Sequence, residues 1–217
     1  PRPAAYNRLM DELSAWLLLV RAPICATQLR ALLEHLPSAA SIVAASPATL
    51  RAHGASGAFV DWLVAHGTID LTADLRWLEQ ERHHFIPCNS PLYPPLLAEI
   101  ADAPIGLFVN GDPSVLSLPQ LAIVGSRNPT PVGRENAYEF AAHLARCGLA
   151  ITSGFALGID AASHRGALAA GGKTIAVCGT GLDVIYPRQH AELRAAIAAS
   201  GALVSEFPTG TPPLKSH

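Results

Sequence analysis

Three glycine-rich turns, each directly following an apolar run, hold the residues of this chain best suited to chemistry. Leu121-Ala122-Ile123-Val124 leads into Gly125-Ser126-Arg127. Leu149-Ala150-Ile151-Thr152 leads into Ser153-Gly154-Phe155-Ala156-Leu157-Gly158-Ile159-Asp160. Thr174-Ile175-Ala176-Val177 leads into Cys178-Gly179-Thr180-Gly181-Leu182-Asp183, and that segment closes on Ile185-Tyr186-Pro187. Glycine lets a backbone approach a ligand without a Cβ in the way. A helix start adds unpaired N–H donors and a partial positive charge. Parallel strands place their C-terminal ends on one edge, so three such turns form one crevice. The chemistry that suits it is phosphate binding. Gly125 and Gly154 stand at strand ends, Ser126, Thr130 and Ser153 add hydroxyls, and Arg127 can grip a phosphate through two parallel N–H bonds, as a lysine cannot. Lys173 is near in sequence but precedes its strand, on the opposite edge. Spacing leaves open whether its long stem reaches a bound chain or carries a solvated surface charge.

Other chemistries fit less well. Asp160 and His164 are four residues apart, on one helix face, and are either a general base with its orienter or a pair that pins the glycine turn to the helix. No Ser or Cys nucleophile is spaced beside them, which favours pinning. Gly179-Thr180-Gly181 lacks the third glycine of a dinucleotide fingerprint. Gly172-Lys173-Thr174 resembles the tail of a P-loop but precedes a strand instead of following one. Phe155 and Tyr186 lie at or near the crevice, either as faces for stacked bases or as packing. Cys25, Cys88, Cys147 and Cys178 show no C-x-x-C spacing, which argues against zinc. A reducing cytoplasm is expected, with no signal peptide in PRPAAYNRLMDEL. The formal charge is −2, so nucleic acid cannot be held by a diffuse basic surface. It needs a local patch, for which Arg127, Arg134, Arg165 and Lys173 are available.

The elements that position these residues differ between the two halves. Residues 1–84 read as a small all-helical domain of the SAM or helix-hairpin-helix type. Helices are expected over Asn7–Val20, Thr27–Leu36, Ser38–Ala45, Pro47–His53, Ser56–His66 and Leu71–His84, with Thr27 an N-cap. Gly54-Ala55-Ser56-Gly57 is its one candidate turn for gripping a DNA backbone, and it has few basic neighbours. Residues 85–217 read as α/β. Short strands are expected near His84–Pro87 and Ile105–Val109, then strands over 121–125, 149–153, 174–178 and 202–205. Helices over about 131–147, 159–171 and 189–200 alternate with these. That alternation predicts a Rossmann-like, mostly parallel sheet with helices on both faces, of doubly wound type.

The segment Leu121–Pro187 resembles the DNA-processing protein A family (DprA, also called Smf). The motifs are Gly125-Ser126-Arg127; Ser153-Gly154-Phe155-Ala156-Leu157-Gly158-Ile159-Asp160 with His164; Gly171-Gly172-Lys173-Thr174-Ile175-Ala176-Val177; and Gly179-Thr180-Gly181-Leu182-Asp183-Val184-Ile185-Tyr186-Pro187. Tyr93-Pro94, Leu107-Phe108 through Gly111-Asp112, and Leu203-Val204-Ser205-Glu206 extend the likeness. The resemblance implies an extended Rossmann-like domain that binds single-stranded DNA in natural transformation, protects incoming strands and helps load the recombinase RecA. It implies DNA contacts at Arg127 and Lys173, no enzyme activity and no cofactor. A phosphate site at Gly125, Ser126, Arg127, Ser153, Gly154, Phe155 and Lys173 is therefore expected. In the family the sheet continues through a segment like FP-x-RNR-I-I-x-GL. This chain stops at Lys215-Ser216-His217, so a truncated product is expected, with part of a homodimer surface beyond it. Two other readings remain. One is a nucleotide-binding hydrolase of lysine-decarboxylase-like fold, although the PGG-x-GT-x-x-E motif is absent. The other is a docking module in which the helical half does the work.

Overall fold

The structure is a computed structural model that describes residues 11–214; the first four residues of the helix expected from Asn7 lie outside them. Six helices come first: α1 (Glu12–Leu19), α2 (Ala26–His35), α3 (Ala39–Ala44), α4 (Pro47–Ala52), α5 (Gly57–His66) and α6 (Thr72–Leu78). Side-chain caps fix most of their starts. Asp11 accepts from the Ser14 amide, Ser38 forms a reciprocal capping box with Ser41, and Ser46 and Ser56 cap α4 and α5. Thr27 is not a cap, because α2 starts one residue before it, with Cys25 at the cap position. The Glu12 carboxylate accepts from the Ala39 and Ala40 amides at 2.8 and 3.0 Å, tying α1 to the start of α3.

The helix expected over Leu71–His84 is shorter. It ends at Leu78, and Arg82 takes a left-handed φ of 64° that turns the chain into strand β1 (His83–Pro87). Then follow α7 (Pro95–Ala98), β2 (Gly106–Gly111), a 3₁₀ turn (Pro113–Ser117), β3 (Gln120–Ala122), α8 (Pro131–Arg146), β4 (Ala150–Gly154), α9 (Ile159–Ala169), β5 (Thr174–Val177), a 3₁₀ turn (Arg188–His190), α10 (Ala191–Ser200) and β6 (Ala202–Ser205). The strand order is β1-β2-β6-β5-β4-β3. The last four strands pair in parallel, while β1–β2 and β2–β6 are antiparallel.

The sheet carries helices on both faces, as the alternation implied. Successive residues of a strand point to opposite faces. Ile151, Ala176 and Leu203 face α8, α9 and α10, where Ala141, Ala167, Leu193 and Ile197 pack. Ile175, Val204, Leu107 and Val109 face the other way, onto Val115 and Leu116 of the 3₁₀ turn and Leu97 of α7. A doubly wound sheet reverses its direction of travel. Within the described residues, β3 to β6 advance one strand at a time without reversal. Right-handed connections then put α8, α9 and α10 on one face.

The helical half is packed against the sheet. Leu17, Leu71 and Trp77 share a cluster with Phe108, Leu182 and Leu203, and Trp77 meets Phe108 edge-on at 5.9 Å. Strand β1 straddles residue 84, so a cut there would break both a strand and this cluster.

Candidate functional site

The turns after β3, β4 and β5 occupy one edge of the sheet, because those strands are parallel and adjacent. Direct contacts join the first two. The Ile159 amide, at the start of α9, donates to Ser126 O at 3.1 Å. Gly158 crosses the Ser126–Arg127 backbone so closely that an added Cβ would stand 2.2 Å from Ser126 O. The second and third turns meet through His190, which touches Phe155 O at 3.2 Å and packs against the Phe155 ring at 5.1 Å.

Asp160 organises the inside of this edge. Its buried carboxyl receives the Ala156 amide at 3.4 Å. Gly154 must be glycine here, since a Cβ would lie 2.5 Å from a carboxyl oxygen of Asp160. Burial pushes the Asp160 carboxyl above the usual carboxylate range, against hydrogen bonds from the Ala156 and Gly125 amides that hold it down. A protein carboxyl thus takes inner amides that an outside anion would need.

His164 is not paired with Asp160. Its Nε2 lies 2.8 Å from Gly154 O and its Nδ1 2.7 Å from Thr174 Oγ1. Burial lowers its pKa to about 4. The neutral ring places its proton on Nε2, since the Gly154 carbonyl can only accept, while the one proton of the Thr174 hydroxyl has two acceptors in reach, Nδ1 and Ile151 O, each at 2.7 Å. The ring pins β4 to α9 and β5 through Gly154 and Thr174 without Asp160, so the pair expected from the sequence does not form. The depressed pKa has a consequence for stability. Between pH about 6.5 and 4 the unfolded chain takes up a proton on His164 that the folded chain refuses, so stability falls as pH drops through that window. The full shift corresponds to about 3 kcal/mol. Between pH 7 and pH 5 about 2 kcal/mol of it is lost, so urea midpoints at those two pH values should differ, and His164→Gln should flatten that difference.

The seven expected phosphate-site residues separate into three groups. Gly125, Ser126 and Arg127 are exposed at the edge. Ser126 Oγ accepts from the Asn128 amide at 3.0 Å and keeps its own proton to donate. Among the described residues the ion pairs are Arg21–Asp74 and Arg51–Asp61, so no acid locks the Arg127 guanidinium inward. Ser153, Gly154 and Phe155 line the same edge from within. Ser153 is 2% exposed and donates its hydroxyl to Ile123 O at 2.6 Å, and Phe155 is buried on His190. The Ser153 and Phe155 side chains are thus engaged within the protein, while Gly154, half-buried, brings only backbone to the edge. Lys173 stands apart. It precedes β5, at the opposite edge, where its charge acts on Asp112.

Sequence reasoning passed over Arg188. It is exposed at the 3₁₀ turn that ends the third loop, two residues after Tyr186, which is 54% exposed. The YP motif was the available signal, since the residue after it begins a helix on the same edge. Phe155 is excluded as a stacking face, and Tyr186 is available as one.

These features agree with comparisons to known proteins. The family model described as DNA recombination-mediator protein A matches residues 84–217. Protein Smf of Escherichia coli K12 is 48% identical over 145 residues, covering 66% of this chain and 39% of that protein. DNA processing protein DprA of Streptococcus pneumoniae R6 is 45% identical over 125 residues, covering 58% and 44%. The chain thus spans about two-fifths of the length of these curated relatives. The crystal structure of Streptococcus pneumoniae DprA superposes with a TM-score of 0.77 at 30% identity, over 97% of this chain and 72% of that one. A Helicobacter pylori DNA processing protein A, described for its single-stranded DNA binding mode, superposes with a TM-score of 0.52 at 32% identity, over 57% and 56%. The chain belongs to the DNA recombination-mediator protein A family.

Proposed function

We propose that the exposed turn Gly125-Ser126-Arg127, with Tyr186 and Arg188 on the same sheet edge, binds the backbone of single-stranded DNA. The observation that carries this reading is an exposed guanidinium, in no ion pair among the described residues, on a turn braced from behind by α9. The inner amides serve Asp160, so the grip rests on cations and hydroxyls more than on backbone N–H groups. Such a site follows phosphates with weak sequence preference, and affinity falls steeply with salt. Family membership and the single-stranded DNA binding ascribed to the Helicobacter pylori relative support it. The same reading makes the protein a cytoplasmic factor of natural transformation. It would shield incoming strands, hand them to RecA and act as a homodimer. No catalytic step is needed, and Asp160 and His164, each with other partners, do not act as an acid–base pair.

Titration of fluorescent oligo-dT at two salt concentrations tests this. Binding that weakens as salt rises supports the reading. Nucleotide turnover without strand binding, or no binding at all, overturns it. Position decides between the two cations: Lys173→Ala should cost less affinity than Arg127→Ala, since Lys173 acts only through the long-range field unless the strand wraps the sheet. Retention of RecA on the immobilised chain tests the handover.

A further inference from the structure

Asp74 is a buried carboxylate at the end of the helical half, and both of its oxygens are used to join two parts of the molecule. Oδ2 receives Arg21 Nη2 at 2.5 Å, and Arg21 Nη1 also donates to Leu17 O at 2.9 Å, at the end of α1. Oδ1 receives the Thr209 hydroxyl at 2.8 Å and the Thr209 amide at 3.2 Å, in the loop after β6. That loop seats the turn after β5. The Gly210 amide lies between the two Asp183 oxygens at 2.8 and 2.9 Å, and the Gly181 amide donates to Thr211 O at 3.0 Å. Arg194 holds the same turn from below through Leu182 O and Val184 O. The turn after β5 carries Tyr186 and Arg188 and touches the second turn through His190 and Phe155. The second turn in its place holds Ser126.

We infer that Asp74 is a positioning residue: it locks the loop after β6 to the helical half and thereby fixes the β5 turn that flanks the DNA site. This rests on the reading of that site given above. Its sign is distinctive. Removing a negative charge from a protein that binds a polyanion should tighten binding through the field alone. Losing the lock should weaken it, because Tyr186 and Arg188 are no longer held ready and their ordering must come out of the binding free energy. Demonstrated coupling, not adjacency, is what establishes such a connection.

The experiment uses the full chain with Asp74→Asn and, in case that variant folds poorly, Thr209→Val, which removes only the hydroxyl. Thr209→Ser serves as the conservative control. Amide hydrogen exchange over residues 178–187 and 206–211 reads the lock without DNA. Oligo-dT titration reads its effect on the site. The expected result is faster exchange in both segments, with affinity weakened about fivefold, a typical coupling between sites, and Thr209→Ser close to wild type on both measures. Unchanged exchange overturns the lock. Faster exchange with equal or tighter DNA binding overturns its role at the site. If the wild type binds no strand, the reading of the site fails on that ground, and exchange alone then decides whether the lock exists.

Discussion

Arg127→Ala is expected to weaken oligo-dT binding by about 10- to 100-fold at low salt, the range set by one lost charge-assisted hydrogen bond of about 1.5–3 kcal/mol. The chain is slightly acidic, with a formal charge of −2, so little nonspecific attraction is available to mask the loss of a local cation. Arg127 is exposed and in no ion pair among the described residues, so its removal takes only a field through space from the buried Asp160 carboxyl and no direct contact. Stability should therefore hold while affinity drops. The slope of log affinity against log salt should become shallower by about 0.7, the single-strand value for one phosphate contact. Arg127→Lys should recover part of the affinity, since an ammonium keeps the charge but not the two-pronged geometry. Arg51→Ala gives the control: Arg51 is already engaged by Asp61 at 3.4 Å, in the helical half. Wild-type affinity in Arg127→Ala would remove the crevice from the account.

Much of this architecture is visible in the sequence because local signals agree with it. Val and Ile runs ending in glycine mark β3, β4 and β5, and Thr130-Pro131 announces α8 through a hydroxyl cap followed by a proline at the first helical position. The strand edge that gathers the three turns follows from the alternation alone. The direction of individual side chains is less legible. Ser153 and Phe155 sit in a motif rich in ligand-like residues, but the strand pleat and the neighbouring His190 turn them inward. Lys173 was assigned to the DNA site by family likeness, while its place before β5 sets it at the far edge. The spacing joins Asp160 to His164, whereas Asp160 is a brace between two turns, because only the fold brings the Gly125 amide to it. The end of α6 was overrun because nothing local marks Arg82 for a left-handed φ. The contact between Asp74 and Thr209 spans 135 positions and has no local signature at all.

Gly158→Ala should be the most damaging single-methyl change at the site. Gly158 has φ 87° and ψ −123°, a region that residues with a Cβ avoid. Its Cβ would stand 2.2 Å from Ser126 O and 2.8 Å from the Arg127 carbonyl. Backbone strain of about 1–3 kcal/mol adds to an overpacking cost of about 1–3 kcal/mol. For a chain of this size the melting temperature should fall by roughly 5–20 °C. The clash cannot relax toward α9 without losing the Ile159 amide bond to Ser126 O, so the Gly125–Arg127 turn must move instead. Affinity for oligo-dT should then fall even at a temperature where circular dichroism shows the variant folded. Gly148→Ala separates the two effects. Gly148 has a nearly identical φ of 89°, but an added Cβ would meet nothing within 4 Å. It should lose stability through backbone strain alone and bind DNA as the wild type does. If folded Gly158→Ala binds as well as Gly148→Ala, the close crossing of the two turns is dispensable, and the grip does not depend on where α9 holds Arg127.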